Sequence, residues 1–242
     1  MSNEVAHVAS ETGSAPVAKV TAGAAGTPDT PGLLTADEAV DYWEVRHRAE
    51  GDLRSGGDVG LDEAANQIFY YTRLGRLLEI IGDRNSLGEP LFLLDAGCGK
   101  GLFARALVDC GFAVDGIDTS PTAIEFARAN GPGRYEVSSL ADWRSPTLYD
   151  VVYSVDVLFH LVDDDDWRAS LDNLASLVRI GGKLVITDER NEVRRQAGNY
   201  IVHRAFTEYV EALAVRGLSL REFRPYGFRD NRIGFLVFVR NH

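Results

Sequence analysis

The chain has few cysteines, no long apolar run and no excess of positive charge. Its two cysteines, Cys98 and Cys110, form neither a disulfide framework nor a metal-ligand spacing, so we interpret both as packing residues in a reducing compartment. No apolar run is long enough to span a bilayer, and the first residues lack the basic start and apolar stretch of a secretory signal. We therefore expect a cytoplasmic protein with no membrane partner and no bound metal.

The net charge narrows the range of partners further. The 242 residues carry a formal charge of −11, whereas a nucleic-acid-binding protein normally needs a basic face. This argues against nucleic acid as a partner, although the plentiful arginines allow a local basic pocket. The length suits one domain with some additional segments.

Three segments follow one another along the chain. Residues 1–34 are rich in Ala, Gly, Thr, Ser and Pro without an apolar period, which predicts a flexible tail. Residues 35–88 are predicted to form a helical segment: Thr35-Ala-Asp-Glu38 is typical of a capping box, and an apolar stripe predicts a second helix over Leu61–Ile81. Residues 89–242 alternate between strand and helix patterns, which predicts an α/β domain with a mostly parallel sheet and helices on both faces.

A glycine-rich turn follows the first strand of this α/β domain. The strand Leu91–Asp95 leads into Gly97 and Gly99, and a second strand ends at Asp118 about 20 residues later. Glycines let the backbone turn sharply and approach a ligand closely. An acid at the end of the second strand is placed to accept hydrogen bonds from ribose hydroxyls. The pattern indicates a nucleoside-binding βαβ unit.

Two details of this turn distinguish between nucleosides. A dinucleotide fingerprint requires a third glycine at position 102, but Leu102 stands there and the glycine comes one residue earlier, at Gly101. Asp95 directly precedes the turn, where a carboxylate would repel a pyrophosphate but would suit a ligand that carries an ammonium and a sulfonium group. An NAD-dependent oxidoreductase is therefore disfavoured.

The pattern Asp95-x-Gly97-x-Gly99-x-Gly101 with Asp118 resembles the class I S-adenosylmethionine-dependent methyltransferases of the small-molecule type. The resemblance implies S-adenosyl-L-methionine as the cofactor. It also implies a Rossmann-like, doubly wound α/β fold with strand order 3-2-1-4-5-7-6, the last strand antiparallel, and N-terminal helices that form a lid. The lid is expected over Tyr42 to Gly60.

The resemblance also implies which residues bind the cofactor. The turn Gly97-Cys98-Gly99 would lie along its methionine part and Asp118 would hold the ribose, while Thr119 would contact the adenine or cap the next helix. After the third strand the family often places an acid, but this chain has Ser139 and Leu140 there, so either these residues or Asp142 would contact the adenine. Trp143 would cover the adenine or fill the core. After the fourth strand, Val155 and Asp156 would line the methionine end.

Catalytic and substrate-binding residues are implied at the same edge of the sheet. His160 follows the fourth strand and is expected to act as a general base or substrate anchor, or to be a structural histidine. Asp188 is the second candidate base, because it ends the fifth strand. The candidate substrate-binding residues are Glu189 and His203 after that strand and, in the lid, Tyr42 and Trp43; an arginine of the lid, Arg46, would suit the cofactor carboxylate.

The sequence thus predicts a methyltransferase for a small-molecule, specialised-metabolite acceptor, as a monomer or homodimer. Oxygen, nitrogen and carbon acceptors remain open. An enzyme that uses the same cofactor for another reaction, such as a cyclisation, is the nearest alternative. A non-catalytic binding or scaffold protein and a protein methyltransferase are further alternatives.

Overall fold

The computed structural model describes residues 32–83 and 88–242. Most of the predicted tail, residues 1–34, therefore lies outside the described residues. In the described part, no helix is both long and apolar enough to cross a lipid bilayer.

A seven-stranded sheet forms the centre of the molecule, in the order β3-β2-β1-β4-β5-β9-β8. From one edge to the other these strands are Arg134–Val137, Ala113–Asp118, Phe92–Ala96, Tyr149–Ser154, Val178–Glu189, Ile233–Arg240 and Leu218–Pro225. The first five are parallel, and β9 is antiparallel to both of its neighbours. The predicted order 3-2-1-4-5-7-6 and the antiparallel last strand are confirmed, since β8 and β9 are the sixth and seventh strands of this sheet along the chain.

Helices cover both faces of this sheet, because the parallel strands direct successive apolar side chains to opposite sides. Leu93 of β1 packs among residues of α3 (Glu63–Ile81), α4 (Leu102–Asp109) and α5 (Pro121–Asn130). Leu94 packs on the other side with residues of two further helices, α6 (Asp164–Leu177) and α7 (Phe206–Ala214). Since α3 belongs to the core, only the chain before it can move as a lid.

The first two helices contact the carboxyl edge of the sheet. Helix α1 (Ala36–Ala49) begins with the predicted capping box, in which Thr35 Oγ1 accepts from Glu38 N and the Glu38 carboxylate accepts from Thr35 N. A one-turn helix, α2 (Asp52–Ser55), follows. Side chains of α1 reach the residues after β1, β2 and β4. These helices therefore lie over the expected ligand-binding edge.

The structure differs from the sequence pattern in two places near the fifth strand. The glycine pair Gly181-Gly182 in the sequence predicts the end of helix α6 there, but this helix ends at Leu177 and β5 begins at once. Gly181 has φ +75°, and a Cβ on Gly182 would lie 2.8 Å from the Asp150 carbonyl oxygen, so both glycines serve the irregular start of β5 beside β4. After β5, the short strands β6 (Arg195–Gln196) and β7 (Val202–His203) form a hairpin that was not predicted.

Candidate active site

A cavity of about 1,020 Å³ lies at the carboxyl ends of the parallel strands. The turn between β1 and α4 and the residues that follow β2, β3 and β4 form one side of it, and α1 and α2 contribute the facing wall. Its volume is at the upper end of the range for small-molecule sites. Doubly wound sheets bind their ligands at this edge, so the cavity is the candidate active site.

The glycine turn brings bare backbone to the cavity wall. Gly97, Gly99 and Gly101 have φ values of +83°, +50° and +77°, a region that residues with a Cβ rarely occupy. A Cβ on Gly97 would also clash with the Val157 side chain, and one on Gly99 would lie 3.4 Å from His47 Nε2. Glycine is therefore required here by the backbone conformation of the turn and, at Gly97, by the close contact with Val157.

Asp118 is held at the end of β2 and lines the cavity, with 8% of its surface exposed. One carboxylate oxygen accepts from Gly99 N and the other from Ser120 N, both at 2.9 Å. Each oxygen has a second lone pair, so the fixed carboxylate can also accept hydrogen bonds from ligand hydroxyls. The ribose contact of Asp118 stays a prediction, and its place on the cavity wall is compatible with it.

The other acid of the motif lies behind the turn. Asp95 is only 2% exposed and does not line the cavity. Burial, with a contribution from the Asp118 charge, raises the pKa of this carboxyl to about 8. Cys98 lines the cavity, and burial raises the pKa of its thiol as well. Contact of Asp95 with a cofactor remains a prediction, since the structure places the carboxyl behind the residues that line the cavity.

The predicted adenine contacts gather after β2 and β3. Thr119, Ser139 and Leu140 line the cavity together with Asp142. Ser139 Oγ donates to Asp142 Oδ2 at 2.7 Å, so the two alternatives for the missing acid form one hydrogen-bonded unit.

Two neighbouring residues have structural roles. Ser120, and not Thr119, caps α5, because Ser120 Oγ accepts from Ala123 N. Trp143 belongs to the core and its indole donates to the Tyr149 hydroxyl at 3.3 Å.

Val155 and Asp156 follow β4 and line the cavity. They are the residues predicted to lie along the methionine end of the cofactor. The Asp156 carboxylate forms an ion pair with Arg73 of α3 and accepts from the Tyr226 hydroxyl at 2.7 Å. Arg73 also lines the cavity, and sequence reasoning missed it. A signal was available: Arg73 lies between Phe69 and Leu77 on the buried stripe of α3, where an arginine needs a buried partner.

The His160 ring lines the same cavity. Its Nδ1 lies 2.9 Å from the Tyr200 carbonyl oxygen. A carbonyl oxygen can only accept, so Nδ1 carries the proton and Nε2 keeps its lone pair. Burial lowers the pKa of His160 to about 4, which keeps the ring neutral near pH 7. Because His160 lines the cavity, it can accept a proton from a bound molecule.

Aromatic rings surround this histidine. Trp43 of α1 meets the His160 ring edge-on at 4.7 Å between centroids, and Tyr200 lies parallel to it at 5.6 Å. Both line the cavity, while Tyr42 stacks on Tyr200 at 5.0 Å without lining it. The structure thus places Trp43 on the cavity wall beside His160, and it places Tyr42 against Tyr200, outside the lining of the cavity.

The residues predicted after β5 are placed differently. Asp188 is fully buried; its carboxylate pairs with His203 Nδ1 at 2.5 Å and accepts from the Tyr209 hydroxyl at 2.6 Å. Glu189 pairs with Arg195 at 2.6 Å. None of Asp188, Glu189 and His203 lines the cavity. Their catalytic and substrate roles stay predictions, and their closed hydrogen-bond network favours a structural role.

The Glu44 carboxylate of α1 is hydrogen-bonded to residues at the start of α5, and sequence reasoning also missed this contact. Glu44 accepts from Ser120 Oγ and Thr122 Oγ1, both at 2.5 Å. These hydrogen bonds, chiefly that from Ser120, lower the pKa of Glu44 to about 2. Lys100 Nζ in the glycine turn donates to the Glu50 carbonyl at 2.7 Å. The middle and the C-terminal end of α1 are thereby tied to the β1 and β2 edge of the cavity.

Comparison with known proteins places this site in a family. Residues 93–182 match the family model described as a methyltransferase domain. The chain is 32% identical over 124 residues to the mitochondrial ubiquinone biosynthesis O-methyltransferase of Schizosaccharomyces pombe, covering 48% of this chain and 44% of that protein. It is 30% identical over 159 residues to the ubiquinone biosynthesis O-methyltransferase of Rickettsia canadensis, covering 64% and 63%. The chain thus spans about half of the curated relatives that it matches.

Solved structures share the fold. Magnesium protoporphyrin IX methyltransferase from Synechocystis PCC 6803 with bound SAM superposes with a TM-score of 0.63 at 21% identity, covering 84% of this chain and 96% of that chain. N-methyltransferase NodS from Bradyrhizobium japonicum WM9 in complex with S-adenosyl-L-homocysteine has a TM-score of 0.62 at 19% identity, covering 84% and 99%.

The fold and the site define a nucleotide-type ligand cavity on a doubly wound α/β sheet. The chain contains a methyltransferase domain with the Rossmann-like fold of the class I S-adenosylmethionine-dependent methyltransferases, which confirms the family that the glycine turn indicated.

S-adenosylmethionine, the cofactor of that family, fits the residues present. The bare glycine backbone, the ribose-accepting Asp118 and the hydrogen-bonded Ser139–Asp142 pair lie along one wall of a single cavity. Arg73, which is ion-paired with Asp156, lines the same cavity. In the described parts of the chain, no group of three His, Cys, Asp or Glu side chains could hold a metal ion.

Proposed function

We propose that this protein uses S-adenosylmethionine to methylate a hydroxyl oxygen of a small molecule. One observation carries the proposal: a single cavity is lined both by the glycine turn with Asp118 and by a neutral His160, whose Nε2 keeps its lone pair. The glycine turn and Asp118 suit a nucleoside. The unprotonated Nε2 suits a ligand that donates a proton, as the hydroxyl group of a methyl acceptor would. The printed names of the curated relatives, O-methyltransferases, support oxygen as the acceptor atom.

The residues divide the work between them. Bound S-adenosylmethionine supplies an electrophilic methyl group on its sulfonium. Asp118 and the glycine turn fix the position of the nucleoside, so that the acceptor oxygen can be held in line with that methyl group. His160 Nε2 would take the proton of the acceptor hydroxyl, and Nδ1 would remain bonded to the Tyr200 carbonyl. Trp43 and the rest of α1 shield this end of the cavity from water.

The finer assignments belong to the same proposal. The relatives' names mention ubiquinone biosynthesis, which supports a small organic acceptor with ring hydroxyls. A specialised metabolite of that chemistry, a cytoplasmic location and a monomeric or homodimeric state are the assignments that the sequence favoured. The aromatic walls around His160 support the ring-bearing acceptor.

A mass-spectrometric screen tests the proposal. The purified protein is incubated with S-adenosylmethionine carrying a deuterated methyl group and with a library of hydroxylated metabolites. We expect one labelled product and an equal amount of S-adenosylhomocysteine, and less of both with Asp118→Ala at a cofactor concentration that does not saturate the variant. The surface variant Asp172→Ala, which removes an acid of α6 paired with Arg216, is the control and should behave as the parent. Consumption of the cofactor without a labelled product would contradict methyl transfer and favour a reaction such as cyclisation.

A further inference from the structure

Arg46 of α1 is a cation that lines the cavity without a counter-charge. Its terminal nitrogen donates to the carbonyl oxygens of Arg54 at 3.0 Å and Gly57 at 2.5 Å. Its Nε is buried and has no hydrogen-bond partner. Within the described residues, no carboxylate lies at ion-pair distance from this guanidinium. Two carbonyl groups therefore hold Arg46 in place while part of its donor capacity remains free.

The other arginines of the cavity differ from Arg46 in this respect. Arg73 is paired with Asp156, and Arg54 lies 3.5 Å from Glu50. A partly buried cation that lacks an anion is costly, because its desolvation is not repaid by an opposite charge. In a protein with a formal charge of −11, acids are abundant, and yet none pairs with Arg46. This asymmetry points to an anionic ligand at this position.

The surroundings of Arg46 place it at the acceptor end. Its guanidinium lies 5.0 Å from the Trp43 ring centroid, and Trp43 in turn contacts His160. The positive charge of Arg46 acts on both His160 and Tyr200, where it favours the neutral imidazole and opposes the rise in the pKa of the phenol. Arg73, in contrast, is bonded to Asp156, the neighbour of the Val157 side chain that packs on Gly97.

We propose that Arg46 binds a carboxylate of the methyl acceptor, and that the acceptor is therefore a planar aromatic acid with a ring hydroxyl. This inference rests on the proposed function, since it concerns the second substrate of the same cavity. The guanidinium would bind the carboxylate, Trp43 and Tyr200 would pack on the ring, and the hydroxyl would face His160 Nε2. The cofactor also carries a carboxylate, and Arg73, the cavity arginine paired with Asp156 after β4, is the alternative cation that the test must separate from Arg46.

Binding measurements on the protein saturated with S-adenosylhomocysteine test this assignment without turnover. The ligands are matched pairs of aromatic acids and their primary amides, drawn from hydroxybenzoic, hydroxycinnamic and hydroxyindole carboxylic acids. We expect at least one acid to bind about 10- to 100-fold more tightly than its amide, the range for a hydrogen bond to a charged group. Arg46→Gln should abolish this preference, Arg46→Lys should retain part of it, and the exposed variant Arg76→Gln should retain all of it.

The affinity for S-adenosylhomocysteine alone separates the two possible sources of the carboxylate. Arg46→Gln should leave that affinity within about twofold of the parent, whereas Arg73→Gln should weaken it about 10-fold or more. The inference is overturned if no acid binds more tightly than its amide, if the preference survives in Arg46→Gln, or if Arg46→Gln weakens the homocysteine complex as Arg73→Gln does. A failure of methyl transfer with an intact acid preference would instead reject the proposed function alone.

Discussion

The two ends of the cavity are built in different ways. The cofactor end comes from one stretch of chain, in which the turn after β1 and the acid that ends β2 lie within about 25 residues of each other. The acceptor end combines α1, the residues after β4 and the segment around Tyr200, which are far apart in the chain. The first end presents backbone and one carboxylate, while the second presents aromatic rings, a neutral imidazole and an unpaired guanidinium.

This difference separates what is shared with relatives from what is specific to this chain. A glycine turn and an acid can bind the same nucleoside in many proteins, because they contact atoms that the cofactor always has. Side chains contributed by distant segments can be replaced one by one without disturbing the fold. We therefore expect variants at the acceptor end to change turnover and specificity, and variants at the cofactor end to change the affinity for the cofactor.

The largest effect is expected for His160→Ala, which alters the acceptor end alone. Loss of a general base should lower turnover about 10²- to 10⁴-fold, while the affinity for S-adenosylhomocysteine stays within about twofold of the parent. Steady-state kinetics and calorimetry measure the two quantities. His203→Gln is the informative comparison, because it alters a histidine outside the cavity wall and should lower the melting temperature without a comparable loss of turnover. The reverse outcome would move the base to the Asp188–His203 pair.

The pH dependence of turnover sharpens the role of His160. Its pKa is lowered to about 4 by burial, so the ring stays a proton acceptor throughout the range from pH 5 to pH 8. We expect no loss of kcat between pH 8 and pH 5 that tracks an ordinary histidine, and a fall only as the pH approaches 4. A fall centred near pH 6.5 that disappears in His160→Ala would show that the ring titrates normally and is more hydrated than the structure shows.

Asp95, which lies behind the glycine turn, predicts a pH dependence of protein stability. Its sign is opposite to that expected for kcat, because stability falls as the pH rises. The folded pKa of Asp95, about 8, is above the unfolded value near 3.9, so the folded protein binds the additional proton. The free energy of unfolding should therefore fall as pH rises from about 4 to 8, by up to about 1.4 kcal/mol per pH unit from this group. Urea unfolding of Asp95→Asn should show a weaker fall. An identical pH dependence in parent and variant would mean that the carboxyl is charged in the fold.

The smallest of these effects concerns the attachment of the lid. Glu44→Gln exchanges a carboxylate for an amide where it accepts from Ser120 and Thr122, at a cost of about 1–2 kcal/mol. S-adenosylhomocysteine should dissociate roughly 10-fold faster, and amide exchange in α1 should rise. Asp41→Asn, an exposed change on the same helix, is the control. Equal dissociation rates in both variants would show that α1 does not hold the ligand in the cavity.

More of the fold and of the cofactor end than of the acceptor end could be predicted from the sequence. The strand order and the cavity-lining positions of Gly97, Gly99 and Asp118 were predictable because local patterns specify strand, turn and acid within one βαβ unit. Trp43 and His160 were predicted as separate candidates, but the edge-on contact between their rings was not.

The contacts that were missed join residues far apart in the chain. Arg73 and Asp156 are 83 residues apart, and Glu44 and Ser120 are 76 residues apart. No local period specifies such a pair, since it depends on how α1 and α3 pack against the finished sheet. Asp188 shows the converse: its place at the end of β5 suggested an active-site acid, but Tyr209 and His203 enclose it.

Calorimetric titration with S-adenosylhomocysteine, and with NAD as the comparison ligand, tests the central claim most directly. That claim is that the turn after β1 and Asp118 form an S-adenosylmethionine site. We predict that S-adenosylhomocysteine binds, that NAD does not, and that Asp118→Ala weakens binding by about 1–3 kcal/mol while Asp172→Ala leaves it unchanged. Binding of NAD, or an affinity for S-adenosylhomocysteine that is the same in the parent and in Asp118→Ala, would contradict the account.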